Sequence, residues 1–174
     1  MDLKNIIRNV PDFPKKGVMY RDITTLLKDP DAMKYSVSEI VEHFKNKKID
    51  FVAGIESRGF IIAPLIAEKF HCGFIPVRKV GKLPAETIKH EYELEYGTDT
   101  IEIHFDAVRK GDNVLICDDL LATGGTSLAA TKLIEKLGGK VSGLGFIVEL
   151  DFLNGRKRLN NYDVFSLVHY TGEE

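Results

Sequence analysis

The chain switches repeatedly between two hydrophobic periods. Residues 31–47 carry Met33, Val37, Ile40, Val41 and Phe44 at helical spacing, which predicts a helix with one apolar stripe. Residues 50–55 (DFVAGI) form a short apolar run, predicted as a buried strand. Residues 56–59 (ESRG) form a turn. Residues 60–70 (FIIAPLIAEKF) are expected to be a helix burying much of its circumference, with Pro64 early enough to be tolerated. Residues 73–77 (GFIPV) make the next strand. From Arg78 to Gly97 the period is lost: Gly81, Pro84 and Gly97 interrupt it and charges dominate. A long, exposed loop ending in a strand is expected there. Residues 100–105 alternate, with Ile101, Ile103 and Phe105 on one predicted face. After a turn at 110–113, residues 113–117 (NVLIC) read as a buried strand. Ala130, Leu133, Ile134 and Leu137 place a helix over 127–137, which Gly138 and Gly139 stop. A strand over 141–150 follows, then a less regular tail with a short strand near 164–168.

Helices alternating with apolar strands predict an α/β fold on a mainly parallel sheet. A length of 174 residues suits one domain, 1–174, with one sizeable core. The net charge of −2 does not favour nucleic acid or an anionic membrane as a partner. The apolar runs are too short to span a bilayer, and the N-terminus lacks the long apolar stretch of a secretion signal. Cys72 and Cys117 lie far apart in apolar surroundings, so two reduced core thiols and a cytoplasmic location are expected. The five histidines show no metal-ligand spacing on a helix or knuckle.

The chemically informative stretch is VLICDDLLATGGTS, residues 114–127. An apolar strand carries the chain to its carboxyl end, where open parallel sheets collect ligands. Asp118 and Asp119 follow, and then Ala122, Thr123, Gly124, Gly125, Thr126 and Ser127 open a helix. Adjacent glycines let successive N–H groups point inward, and the helix start adds unpaired donors and partial positive charge. Such a cradle suits a monoester phosphate. The two carboxylates would repel that phosphate but accept hydrogen bonds from a sugar diol. Together they describe a ribose 5-phosphate. Taken alone, TGGTS is equally a turn with a helix cap, and Asp-Asp a solvated turn. The combination is far more specific. Neither a G-x-x-x-x-G-K-[ST] loop nor a dinucleotide fingerprint is present.

This stretch resembles the signature of type I phosphoribosyltransferases, and DDLLATGGT resembles the adenine phosphoribosyltransferase family within them. Three further segments agree: FPKKGVMYRDI (13–23) resembles a base-binding segment, GIESRGF (54–60) a pyrophosphate loop, and RKVGKLP (78–84) with LEYG (94–97) a flexible loop. Similarity continues through VEL (148–150), residues 154–156 and FSL (165–167), and so covers essentially the whole chain. Lys16 stands where the family commonly has proline, and Glu56 where some members have aspartate.

The resemblance implies a hood made of the N-terminal segment and the flexible loop. It implies phosphoribosyl transfer from 5-phosphoribosyl 1-pyrophosphate to N9 of adenine, giving AMP and pyrophosphate. Asp118 and Asp119 would hold the ribose hydroxyls, and Ala122 to Thr126 the 5-phosphate. Glu56, Ser57 and Arg58 would meet pyrophosphate, joined by Arg78, Lys79 and Lys82 of the loop. Glu95 would carry the purine proton, with Tyr96 beside it. The backbone of Met19 and Arg21 would read the adenine edge, with Tyr20 and Leu120 on its faces. Mg2+ would be held mainly by substrate, without a protein cage, and the enzyme would be a homodimer. Two alternatives share these features: a phosphoribosyltransferase for xanthine or for hypoxanthine and guanine, and a non-catalytic regulator that senses phosphoribosyl pyrophosphate.

Overall fold

A computed structural model describes residues 1–94 and 97–172. A seven-stranded sheet has the order β5-β6-β4-β3-β7-β8-β9. Its strands are β3 (Phe51–Ile55), β4 (Gly73–Lys79), β5 (Thr87–Glu93), β6 (Thr98–His104), β7 (Asn113–Leu121), β8 (Lys140–Leu150) and β9 (Val164–Tyr170). Strands β4, β3, β7, β8 and β9 run parallel, while β6 joins β4 antiparallel and β5 joins β6 antiparallel. Helices α2 (Pro30–Phe44) and α3 (Gly59–Lys69) cover one face, and α4 (Gly125–Lys136) covers the other. β7 shows why both faces are closed. Val114 and Ile116 pack with Leu133 and Ile134 of α4, while Leu115 and Cys117 pack with Ile40, Phe44 and Ile66 on the opposite side. A strand buried on both faces needs a continuous apolar run rather than alternation, and NVLIC supplies one. Phe44 is fully buried, which contributes roughly 1.5–3 kcal/mol by transfer.

The N-terminal segment forms a separate ribbon. β1 (Arg8–Val10) pairs antiparallel with β2 (Tyr20–Asp22), followed by the short helix α1 (Thr24–Lys28). Asp22 ties the ribbon together, accepting bonds from the Arg8 guanidinium at 2.5 and 2.9 Å and from the Thr24 N–H at 2.9 Å.

Several expectations are corrected. Residues 78–97 are not one long loop: β4 runs on to Lys79, and β5 forms a hairpin with β6, leaving a turn between Lys79 and Thr87. β5 is an edge strand, so its charged residues face water while its backbone still pairs. Phe105 lies beyond the end of β6 and is 55% exposed, whereas Glu102, on the opposite face from Ile101 and Ile103, is buried. On α3, Ile61 and Leu65 are exposed, so that helix buries one side only. Cys72 is half-buried, and Cys117 alone is a core thiol. β9 extends to Tyr170 and closes the sheet in parallel with β8.

Candidate active site

β3 sends its following helix and strand to one side of the sheet, and β7 lies on its other side. Between such strands a crevice opens at the carboxyl ends, because the connections leave in opposite directions. Here the crevice is a cleft of about 520 Å³, lined on its floor by Ile55, Val77 and Ile101 and on its walls by Ser57, Arg58, Asp118, Asp119, Leu120 and Thr126. Glu56, Lys79, Tyr92, Leu94 and Asp99 complete the rim.

The two aspartates are not in a loop, as the sequence suggested. They sit within β7, which continues to Leu121, so the sheet itself holds them. Asp119 is 5% exposed and accepts the Arg58 Nε–H at 2.6 Å. Asp118 accepts the Asp119 backbone N–H at 2.9 Å. Burial, and then the Asp119 charge beside it, push the Asp118 carboxyl well above the usual carboxylate range. The turn after β7 is only Ala122–Gly124, since α4 begins at Gly125 rather than at Ser127. Gly124 has φ +79°, a left-handed conformation that a side chain would strain, and it packs against the backbone of Gly155. Residues 154–155 therefore back the turn from behind.

Arg58 occupies the last position before α3. Besides Asp119 it donates to the Tyr20 hydroxyl of the N-terminal ribbon, so one guanidinium joins the sheet to the ribbon. Burial opposes its charge, but Asp119 and then Tyr20 outweigh burial and hold the group protonated. Two other cations are paired too. Arg78 Nε bonds Glu56 at 2.6 Å, and Lys79 Nζ bonds Asp99 at 2.8 Å. Lys82 is exposed in the turn after β4, and its carbonyl accepts from Arg78 Nη1 at 3.2 Å. The Arg21 side chain turns away from Tyr20, with its guanidinium 3.9 Å over the Tyr170 ring and bonded to Asn9 and to the Gly172 carbonyl. Glu95 and Tyr96 lie outside the described residues.

Sequence reasoning missed Tyr92 and Asp99. Tyr92 donates toward Asp99 at 3.4 Å and also reaches Thr126. Their signal was the alternation of a hairpin, which the charge run concealed. It also missed a group that forms only in three dimensions: His169 lies against Asp151 at 2.8 Å and Glu149 at 3.9 Å. That group lies outside the cleft, and Arg156 already neutralises Glu149 there at 2.5 Å.

Residues 24–171 match the phosphoribosyl transferase domain. The chain belongs to the phosphoribosyl transferase family, on its adenine branch. Relatives in that branch include the adenine phosphoribosyltransferase of Koribacter versatilis, 56% identical over 97% of this chain and 92% of that protein. The adenine phosphoribosyltransferase of Methanococcus vannielii is 53% identical over 98% of each chain. Among solved structures, the family member from Thermoanaerobacter pseudethanolicus superposes with a TM-score of 0.94 at 52% identity, covering 97% of this chain and 98% of that one. The Saccharomyces cerevisiae enzyme, solved with adenine and an imino-altritol bisphosphate, gives a TM-score of 0.89 at 41% identity, over 95% and 96% of the two chains.

Proposed function

We infer that the cleft carries out the reaction of adenine phosphoribosyltransferases. The phosphoribosyl group of 5-phosphoribosyl 1-pyrophosphate passes to N9 of adenine, giving AMP and pyrophosphate in purine salvage. The bond from the anomeric carbon to pyrophosphate breaks, a bond to N9 forms, and the N9 proton leaves. The carrying observation is the placement of the Arg58 turn, 2.6 Å from Asp119, at the mouth between β3 and β7.

The anomeric carbon becomes cationic as pyrophosphate leaves, much as in glycoside cleavage. Asp118 and Asp119 hold the ribose hydroxyls and place negative potential beside that cation. Ala122, Thr123, Gly124, Gly125 and Thr126 hold the 5-phosphate through backbone N–H groups and hydroxyls. Ser57 and Arg58, with Arg78, Lys79 and Lys82, receive pyrophosphate, and Glu56 orients Arg78. Arg58 and Lys79 pair with the cleft carboxylates Asp119 and Asp99, and Arg78 reaches Glu56 on the rim, so pyrophosphate exchanges one anionic partner for another at each cation. Tyr20 and Leu120 pack on the purine, while the main chain of Met19 and Arg21 distinguishes the adenine amino donor from an oxygen acceptor. With its side chain held over Tyr170, Arg21 offers the base its backbone. A site matched to a donor leaves buried groups unpaired against an acceptor, which gives strong discrimination. Glu95 and Tyr96 are assigned to proton transfer and to the closed state.

Mg2+ is the proposed cofactor. Among the described residues, the cleft carboxylates other than Asp118 are engaged by cations, which suits an ion bound through substrate oxygens and water rather than a protein cage. When bound, it neutralises charge on the leaving pyrophosphate. One domain over 1–174, a homodimer and a cytoplasmic location complete the reading. Among the described residues no helix is long and apolar enough to cross a membrane.

The test is pyrophosphate release with adenine, hypoxanthine, guanine and xanthine, with and without a chelator. Turnover with adenine alone, lost on chelation and restored by Mg2+, is expected. Turnover with hypoxanthine but not adenine overturns the assignment. Tight substrate binding with no turnover on any base identifies a regulator.

A further inference from the structure

Glu102 is a carboxylate that no step above uses. It lies in the middle of β6 and is 2% exposed, yet it forms no ion pair among the described residues. Burying a carboxylate is costly unless its oxygens are fully hydrogen-bonded. Its oxygens are bonded, and by one segment. Oε1 accepts three successive backbone N–H groups, from Gly81, Lys82 and Leu83, at 3.0, 3.1 and 3.1 Å. Oε2 accepts the Thr87 hydroxyl at 3.1 Å. Burial opposes ionisation, but the Leu83 N–H, the Thr87 hydroxyl and the other two amides outweigh it, holding the carboxyl below its ordinary range.

Three consecutive N–H groups converging on one oxygen form a nest, the backbone geometry that binds anions. Here the chain supplies its own anion. The turn it grips begins directly after Arg78 and Lys79 and contains Lys82. Glu102 stands opposite Arg78 in the β4–β6 register, so both side chains rise from the same face. Arg78 then closes the loop by donating to the Lys82 carbonyl. The turn has few other ties: the Lys82 N–H also donates to the Lys79 carbonyl at 3.3 Å, but Gly81 has φ +82° with no heavy atom within 4 Å of the site of a β-carbon, and Lys82 is exposed. An exposed turn of this kind otherwise samples many conformations, and each cation on it loses its aim.

We propose that Glu102 is a positioning residue for the pyrophosphate arm, folding residues 81–83 into one conformation so that Arg78 and Lys82 are held ready for the leaving group. It touches no substrate and acts through the turn. The proposal rests on the reading that this arm meets pyrophosphate.

Two variants and one control test it. Glu102→Ala removes both acceptors. Glu102→Gln keeps a neutral acceptor for the amides, and its amide can donate to the Thr87 hydroxyl. KM for 5-phosphoribosyl 1-pyrophosphate is expected to rise about tenfold in Glu102→Ala and about two- to threefold in Glu102→Gln, because charge-assisted bonds are the ones lost. KM for adenine stays within about twofold in both, since the ribbon that holds the base is untouched. Hydrogen exchange at the amides of residues 81–83 accelerates in the same order. A merely structural glutamate would shift both KM values or neither. Unchanged exchange at these amides overturns the proposal. So does a fall in KM for the pyrophosphate substrate, which would make Glu102 a placeholder for the substrate's own phosphate. If Glu102→Ala does not fold, the graded effect in Glu102→Gln decides. Lys82→Ala separates the two readings. If it leaves that KM unchanged, the arm assignment falls and the proposal with it. If it raises the KM while the Glu102 variants do not, the proposal alone falls.

Discussion

At the scale of single residues, Asp118 carries a conflict between stability and chemistry. Its carboxyl is raised because the fold buries it and sets Asp119 alongside. A raised folded value means that the folded state binds the proton more tightly than the unfolded chain. The associated stability is complete below the ordinary carboxylate value and is lost as pH climbs through the raised one. Wherever it is ionised, the residue therefore works against folding. Asp118→Asn removes that penalty and keeps an acceptor for the Asp119 N–H. Its melting temperature is expected to rise by about 3–6 °C, while turnover falls by about a hundredfold or more. Calorimetry and a rate assay on the same sample check both. A variant less stable than the parent contradicts the burial penalty, and one with near-normal turnover refutes the assignment of Asp118 to the ribose.

At the scale of elements, the 5-phosphate turn depends on a neighbour distant in sequence. A β-carbon on Gly155 would strike the Ala122 carbonyl oxygen and lie 2.9 Å from the Gly124 nitrogen. Those atoms are backbone and cannot swing aside, so the turn itself must move. Residues 155–159 are pinned in turn by Arg156, which bonds Glu149 at 2.5 and 2.9 Å and the Val164 carbonyl at 2.7 Å. Gly155→Ala is expected to destabilise by about 1–3 kcal/mol and to weaken AMP binding by about tenfold or more. Gly172→Ala, where the added methyl meets nothing within 4 Å, serves as the control. Titration calorimetry with AMP reads the difference, and equal affinity in the two variants would sink the buttress.

The hairpin belongs to the same scale. Residues 87–93 (TIKHEYE) carry the alternation of a half-buried strand, but their charges and the flanking breakers masked it in the sequence. Tertiary pairing with β6 overrode that local signal, because an edge strand needs one paired side only. The helices and central strands were legible because each buries its own stripe or run. The start of α4 and the length of β7 were misjudged because Asp118 and Asp119 look like loop residues until the crevice around them is seen.

At the scale of the whole molecule, depressed carboxylates are spread across its parts. Asp22 in the ribbon is lowered to about 2 by the Thr24 N–H and then, against burial, by Arg8. Glu102 in the hairpin is lowered by its amides against burial, and Glu149 near the end of β8 by Arg156 and Ser166 against burial. A depressed carboxylate contributes stability that is present above its unfolded value and lost as pH falls through its folded one. Thermal stability is therefore expected to climb from pH 2 to the ordinary carboxylate range, about pH 4–4.5. Above that range Asp118 works in the opposite sense. Melting curves across this interval check the shape, and Glu149→Gln should flatten the acid limb. A melting temperature that does not change below pH 4 contradicts it.

The sequence by itself determined what a few neighbouring residues can do. Hydrophobic period set the helices and buried strands, and the run from Asp118 to Ser127 defined a ribose phosphate chemistry and a family resemblance. Only the tertiary structure decided which distant groups meet. Arg58 reaches Asp119 and Tyr20, Glu102 grips the turn after β4, and Gly155 backs Gly124. Burial pattern repeats within a segment and can be read along the chain. The partner of a buried charge is set by strand order and register, and these settle only when the sheet is assembled.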